Sequence, residues 1–201
     1  NTQGPPQELL QHTFGPATNE HIVSPWAFFY RTIGKTNITI RNVGAMEDEL
    51  FTTAGLKARV IGEAKFLRAL CYYYIAILWN GGPLKLAEDD TDLEVSTAKS
   101  DGAALLQQAI SDLTDAKASL PLSYEGADVG RAVRGAANAL LGKVYLWQEN
   151  YGQAESEFNA VINSGAHYLM GGPNDPAGQA TTVEEAISAM RQNHDFGVKN
   201  I

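Results

Sequence analysis

The residues of this 201-residue chain whose types could support chemistry are few and scattered. His12, His21, His167 and His194 stand apart, and none has a second histidine four residues on or a cysteine beside it, as a zinc site would need. Glu88, Asp89, Asp90, Asp92 and Glu94 offer oxygens to calcium. Their spacing differs from an EF-hand loop, however, and the glycine that bends such a loop is missing, so the cluster reads as a solvated acidic loop. No glycine-rich phosphate loop and no G-x-S-x-G elbow occurs. Paired carboxylates of the glycosidase kind stay open at this level, although the acidic residues fall mainly in loops and on outward helix faces. Cys71 lies in an apolar helix and reads as a small buried hydrophobe; a lone cysteine makes no internal disulfide. Arg131 follows a glycine at a helix start, where a cation opposes the helix dipole. It is expected to tie loop to helix through carboxylates or carbonyls rather than to hold a ligand. No enzyme chemistry, cofactor or metal is expected.

The elements that would position any site are helical. In the stretch 130–165, Val133, Ala136, Ala137, Leu140, Leu141, Val144 and Trp147 recur at three- and four-residue steps and line one helix face. After a turn at 150–152, Ala154, Phe158, Val161 and Ile162 line a second. Gly142 sits inside the first helix, where glycine costs roughly 1 kcal/mol against alanine; a close backbone crossing by the second helix would explain it. Leu141-Gly142-x-x-Tyr145 and Ala154-x-x-x-Phe158 fit the small-and-aromatic lock of a tetratricopeptide repeat. An earlier helix over 101–120, capped by Asp101 and stopped by Pro121, carries Leu105, Ala109, Leu113 and Ala116 inward. Leu113 to Phe158 spans 45 residues against a repeat period of about 34, and the excess fits the loop at 122–132. The partner of that earlier helix is the long helix 57–79, with Val60, Ala64 and Leu67 inward and Lys57, Arg59 and Lys65 outward. Its second half, ALCYYYIAILW, is apolar all round and should be covered on most sides. Asn80-Gly81-Gly82-Pro83 ends it.

Toward the amino terminus, residues 1–23 read as an irregular arm, and Ser24-Pro25 as a helix start. Trp26, Phe29, Tyr30, Ile33, Asn37 and Ile40 then mark an amphipathic helix to about Val43. Residues 166–201 read as mostly irregular, with one short helix from Thr182 to Met190. The whole is expected to be a single all-α domain over 1–201, built of tetratricopeptide-like helical hairpins with long irregular insertions; 57–121 and 131–165 are the repeat-like pairs. Its net charge of −8 argues against a nucleic-acid partner and an anionic membrane surface. The longest apolar run, 69–79, is too short to span a bilayer, which takes about 20 residues. The start at Asn1 carries no secretory leader pattern.

Glu63-Ala64-Lys65-Phe66-Leu67-Arg68-Ala69 resembles the EARFLRA-type helix of the SusD/RagB family, and Trp79-Asn80-Gly81-Gly82-Pro83-Leu84 its following turn. Asp112-Leu113 with Ala116 and Leu120-Pro121 is similar to its "DL…A…LP" helix. Gly130-Arg131-Ala132 with Ala136-Ala137-x-Ala139-Leu140-Leu141-x-x-Val144-Tyr145-Leu146 resembles its GRA…AALL..VYL helix. Tyr151-x-x-Ala154, Val161-Ile162, Ser164-Gly165 and Tyr168-Leu169 continue the series in order. The resemblance implies a cell-surface glycan-binding lipoprotein of the Gram-negative outer membrane. Such a protein sits on a SusC-like TonB-dependent transporter, captures oligosaccharide or polysaccharide for import, and is not an enzyme. Family members are considerably longer, so the chain looks like a fragment or the ordered part of something larger. The family's lipid-bearing cysteine is absent from it, and a membrane attachment would come only through such an anchor.

Sugars are held by flat rings against C–H faces and by amide, carboxylate or guanidinium groups on hydroxyls. Asn19, His21 and Trp26 put polar groups close to a ring away from the repeat core, and Tyr124 lies in the inter-repeat loop; these four are the candidate glycan contacts. Trp26 could instead pack into a helix interface, with Asn19 and His21 solvated. Trp79 and Trp147 are expected to pack in the core or at helix ends. The repeats alone would also suit a protein-interaction scaffold that takes a peptide on its concave face.

Overall fold

The computed structural model describes residues 19–86 and 98–167, with positions 182 and 185. Helix α1 (Glu20–Ala45) runs to a short 3-10 turn at Asp48–Leu50 and then to α2 (Leu56–Trp79). Strands β1 (Gly81–Pro83) and β2 (Lys99–Asp101) pair antiparallel, Gly82 opposite Ser100. Helix α3 (Gly102–Ser119), a 3-10 turn at Gly126–Asp128, α4 (Arg134–Trp147) and α5 (Tyr151–Ile162) complete the described chain. Each helix packs on the one before it, so α1 to α5 form a layered array.

Capping residues fix where most helices begin. Asp101 accepts the amide of Ala104 at 2.7 Å and Asn150 that of Gln153 at 3.4 Å, satisfying donors that the helix itself cannot. Helix α1 departs from expectation. It starts at Glu20, with Asn19 accepting the amide of His21 at 3.0 Å, and Pro25 lies inside it. Asparagine caps as well as serine does, so the earlier cap prevails and residues 20–23, expected to be irregular, are helical. The cap at the end of α2 is likewise Asn80, left-handed at φ 51°. Strands of three residues carry too little alternation to be legible, and the β1–β2 pair was not expected.

The core is centred on the α2–α3 pair, where Tyr72, Ile75, Leu105, Leu113 and Leu120 are fully buried; each contributes about 1.5–3 kcal/mol by leaving water. Within α2 the inward stripe runs Ala64, Arg68, Ala69, Tyr72, Ile75 and Ala76, while Leu67 points outward. An arginine takes a core position because its charge is met there. The second half of α2, expected to be covered on most sides, keeps Tyr74 and Leu78 exposed, since α1 and α3 shield only part of the helix.

In the α4–α5 hairpin the feature at Gly142 is a ring rather than a crossing backbone. A methyl group on Gly142 would lie 2.6 Å from Phe158 Cε1, so the glycine makes room for the phenylalanine. The amide of Arg134 donates to Pro121 O at 2.8 Å and closes the inter-repeat loop. Trp147 is 57% exposed and Ile162 69%, against the expected inward placement; among the described residues α5 packs chiefly on α4 and its far stripe is uncovered.

Thr182 and Glu185 exchange hydrogen bonds, Glu185 N to Thr182 Oγ1 at 3.1 Å and Thr182 N to Glu185 Oε2 at 3.2 Å, a capping box at the start of the expected short helix. The rest of that helix, the acidic cluster Glu88 to Glu94, His12, His194 and Tyr168-Leu169 lie outside the described residues.

Candidate functional site

Trp26, Tyr30, Ile33, Gly34 and Asn37 succeed one another at helical spacing on α1, so they form one stripe. Facing them are Pro83 and Lys85, which leave β1, and the gap is a groove of about 330 Å³, at the small end of ligand clefts. One wall is aromatic. It consists of Trp26 and Tyr30, 4.8 Å apart; outside the lining, Trp79 meets Trp26 edge-on at 5.3 Å and Phe29 stacks on Tyr74 at 5.7 Å. Gly82 permits this packing, because a methyl group there would collide with the Tyr30 hydroxyl and meet Trp26 at 3.0 Å.

The opposite wall is pinned by a polar network that sequence reasoning missed. Arg68 forks onto Asp112, Nε to Oδ2 at 2.8 Å and Nη2 to Oδ1 at 2.7 Å, and Nη1 donates to Asn37 Oδ1 at 2.8 Å. Asn37 Nδ2 passes the chain on to Lys85 O at 3.1 Å, while the Tyr72 hydroxyl accepts from Lys85 N at 2.9 Å and donates to Lys85 O. Tyr30 donates to Pro83 O at 3.0 Å. Three helices and the segment after β1 are thus fixed through one buried arginine. The available signal was an arginine within a buried stripe, matched by Asp112 beside the inward Leu113.

Burial pushes the Tyr72 phenol up to about 12 and raises Tyr30 further, with Tyr72 as the second cause; both stay neutral donors. Among the described residues the groove's lining holds no carboxylate or imidazole. Among the described residues no three His, Cys, Asp or Glu side chains converge as a metal site would require.

The four expected contacts are not brought together. Trp26 is half-buried in the groove wall, where it packs between helices and lines the cleft. Asn19 is 1% exposed and serves as the α1 cap, and His21 is exposed one turn before Trp26. Tyr124 belongs to a separate cluster, donating to Glu63 Oε1 at 2.7 Å with the Arg59 guanidinium 5.4 Å above its ring. Burial, then Glu63, pushes its phenol up to about 12. Arg131 completes that cluster, reaching Asp128 at 2.6 Å and Glu63 at 2.8 Å, the loop-to-helix tie its position implied. Trp79 is half-buried at the end of α2, in the packing role expected of it.

A family model described as SusD-like, starch-binding associating with outer membrane, matches residues 8–146. SusD-like protein P25 of Formosa agariphila is 29% identical over 146 residues, 73% of this chain and 27% of that protein. The crystal structure of a SusD-like carbohydrate binding protein from Bacteroides fragilis is similar at 25% identity and TM-score 0.69, over 79% of this chain and 30% of that one. A laminarin binding SusD-like protein is similar at 28% identity and TM-score 0.63, over 74% and 30%. The chain spans about a quarter to a third of the length of the curated relatives it matches.

Proposed function

The chain belongs to the SusD-like family, and from that premise we propose that it forms the helical scaffold of a protein that captures oligosaccharides at the bacterial outer membrane. The protein binds its sugar and does not transform it. Held at the cell surface by a lipid anchor, it hands the ligand to a SusC-like TonB-dependent transporter. The observation that carries this reading is the family match over residues 8–146, which takes in α1, α2, α3 and nearly all of α4; a laminarin-binding protein of the same fold supports it.

The sugar rests against Trp26 in the α1 groove, with His21 at the exposed start of the helix and Lys85 at the opposite wall. Asn19 and Tyr124, whose polar groups are engaged within the fold, support the segments around the ligand. A millimolar affinity amounts to only about −4 kcal/mol, within reach of one stacked ring and a few hydrogen bonds.

Affinity electrophoresis and isothermal titration of the intact protein against a polysaccharide panel that includes laminarin test the reading. At least one glycan is expected to bind, and Trp26→Ala to weaken it about tenfold, the loss of roughly 1.4 kcal/mol, with a melting curve confirming the fold. Failure to bind any member of a broad panel would remove the basis for it.

A further inference from the structure

We propose that a second, shallow groove, open to solvent and bordered by α3, α4 and α5, is a saccharide site that takes the carboxylate of a uronic acid residue. It rests on the glycan-binding reading and extends it to a substrate class. The groove holds about 450 Å³ and is lined by Lys117 from α3, Arg134 and Asn138 from α4, and Ser156 and Glu157 from α5.

Asn138 carries the argument. It is only 7% exposed, it lines the groove, and among the described residues no hydrogen bond reaches its amide. The residue is nine-tenths buried while its amide atoms are not sealed from solvent, so the amide opens onto the groove and takes its hydrogen bonds from whatever occupies it. One turn earlier on the same face, Arg134 gives its Nε to Leu120 O at 3.3 Å; no hydrogen bond to described residues holds its two terminal nitrogens. Those nitrogens form the planar fork that grips a carboxylate. Across the groove Lys117 Nζ is paired with Glu157 Oε1. Two cations against one carboxylate leave this groove positive in a chain of net charge −8, which favours an anion here.

The remaining donors and acceptors select a sugar. The Asn138 amide and the Ser156 hydroxyl each donate and accept, and the Glu157 carboxylate accepts, as neighbouring ring hydroxyls require. The apolar lining consists of Ala118 and Ala160, which offers no pocket for the large side chain that anchors a bound peptide.

The test titrates the intact protein with polygalacturonate and with alginate at fixed ionic strength, beside a panel of neutral polysaccharides. Arg134 is exposed, so Arg134→Gln leaves the fold in place; Asn138→Asp keeps the shape and sets a negative charge against the ligand, with melting curves for both. Each variant is expected to weaken polyuronate binding about tenfold, as loss of one charge-assisted contact does, and to leave neutral glycans unchanged. Polyuronate binding that is indifferent to both variants overturns the site. So does binding of neutral glycans without polyuronates, which leaves the general glycan reading standing; failure with every glycan ends both. Displacement of polyuronate by polyglutamate at equal carboxylate concentration reassigns the groove to an acidic polypeptide and overturns the sugar assignment.

Discussion

At the scale of residues, Arg68 decides more than any aromatic side chain. Its guanidinium and the Asp112 carboxylate are 7% and 2% exposed, so neither charge has water to fall back on. A buried pair of this kind adds little over a well-packed apolar pair, yet removing one partner strands the other at a cost of about 3–5 kcal/mol. Arg68→Met is therefore expected to lower stability by about that much in urea denaturation of the intact protein. Arg68→Met with Asp112→Leu should recover most of the loss. Equal losses from the single and the double variant would show that packing, not the stranded charge, sets the cost. Tyr72→Phe removes both contacts to the Lys85 backbone and is expected to cost about 1–3 kcal/mol. The sequence marked Arg68 and Asp112 only as charges on inward stripes; their pairing was not legible, because partners 44 and 31 residues apart meet only once three helices have packed.

At the scale of elements, periodicity and caps were sufficient where a helix has one wet face and one dry face. The α3 cap, its inward leucines and the α4–α5 turn were all readable in that way. They failed where two capping residues compete, as at Asn19 and Ser24, and where no described residue covers a helix face, as around Trp147. Apolar spacing says which face seeks cover but not whether anything covers it. The candidate groove was half legible: Trp26 stood out, while Lys85 and Pro83 come from across a strand that three residues could not announce. The Gly142–Phe158 contact provides the test at this scale. Alanine is the better helix former by about 1 kcal/mol, but its methyl group would overlap the ring, and overpacking costs about 1–3 kcal/mol. Gly142→Ala is expected to lower the unfolding free energy in the parent protein and to raise it when Phe158 is replaced by leucine. A purely additive double-mutant cycle would contradict the lock.

At the scale of the whole molecule, the order of weak motifs conveyed the family better than any one motif did, because a helical array keeps its neighbours in sequence order. The same array distributes its tyrosines so that alkaline pH should act on it as a unit. Tyr30 holds α1 to Pro83, Tyr72 holds α2 to Lys85, and Tyr124 holds the inter-repeat loop to Glu63. Each donates as a neutral phenol, and burial is the leading cause that raises all three above the ordinary tyrosine value of about 10. Tyr72 and Tyr124 reach about 12. The unfolded chain gives up these protons near pH 10, whereas the folded chain keeps them to about pH 12. Across that interval the unfolded state binds fewer protons, so stability falls as pH rises; below about pH 10 the contribution is complete. Melting temperatures measured in steps from pH 8 to 12 should be level at first and then decline. A Tyr72→Phe, Tyr124→Phe variant should begin lower and decline less steeply, because two of the groups that lose protons are gone. A wild-type melting temperature that stays level to pH 12, or a variant whose slope matches it, would mean that these phenols do not couple ionisation to folding.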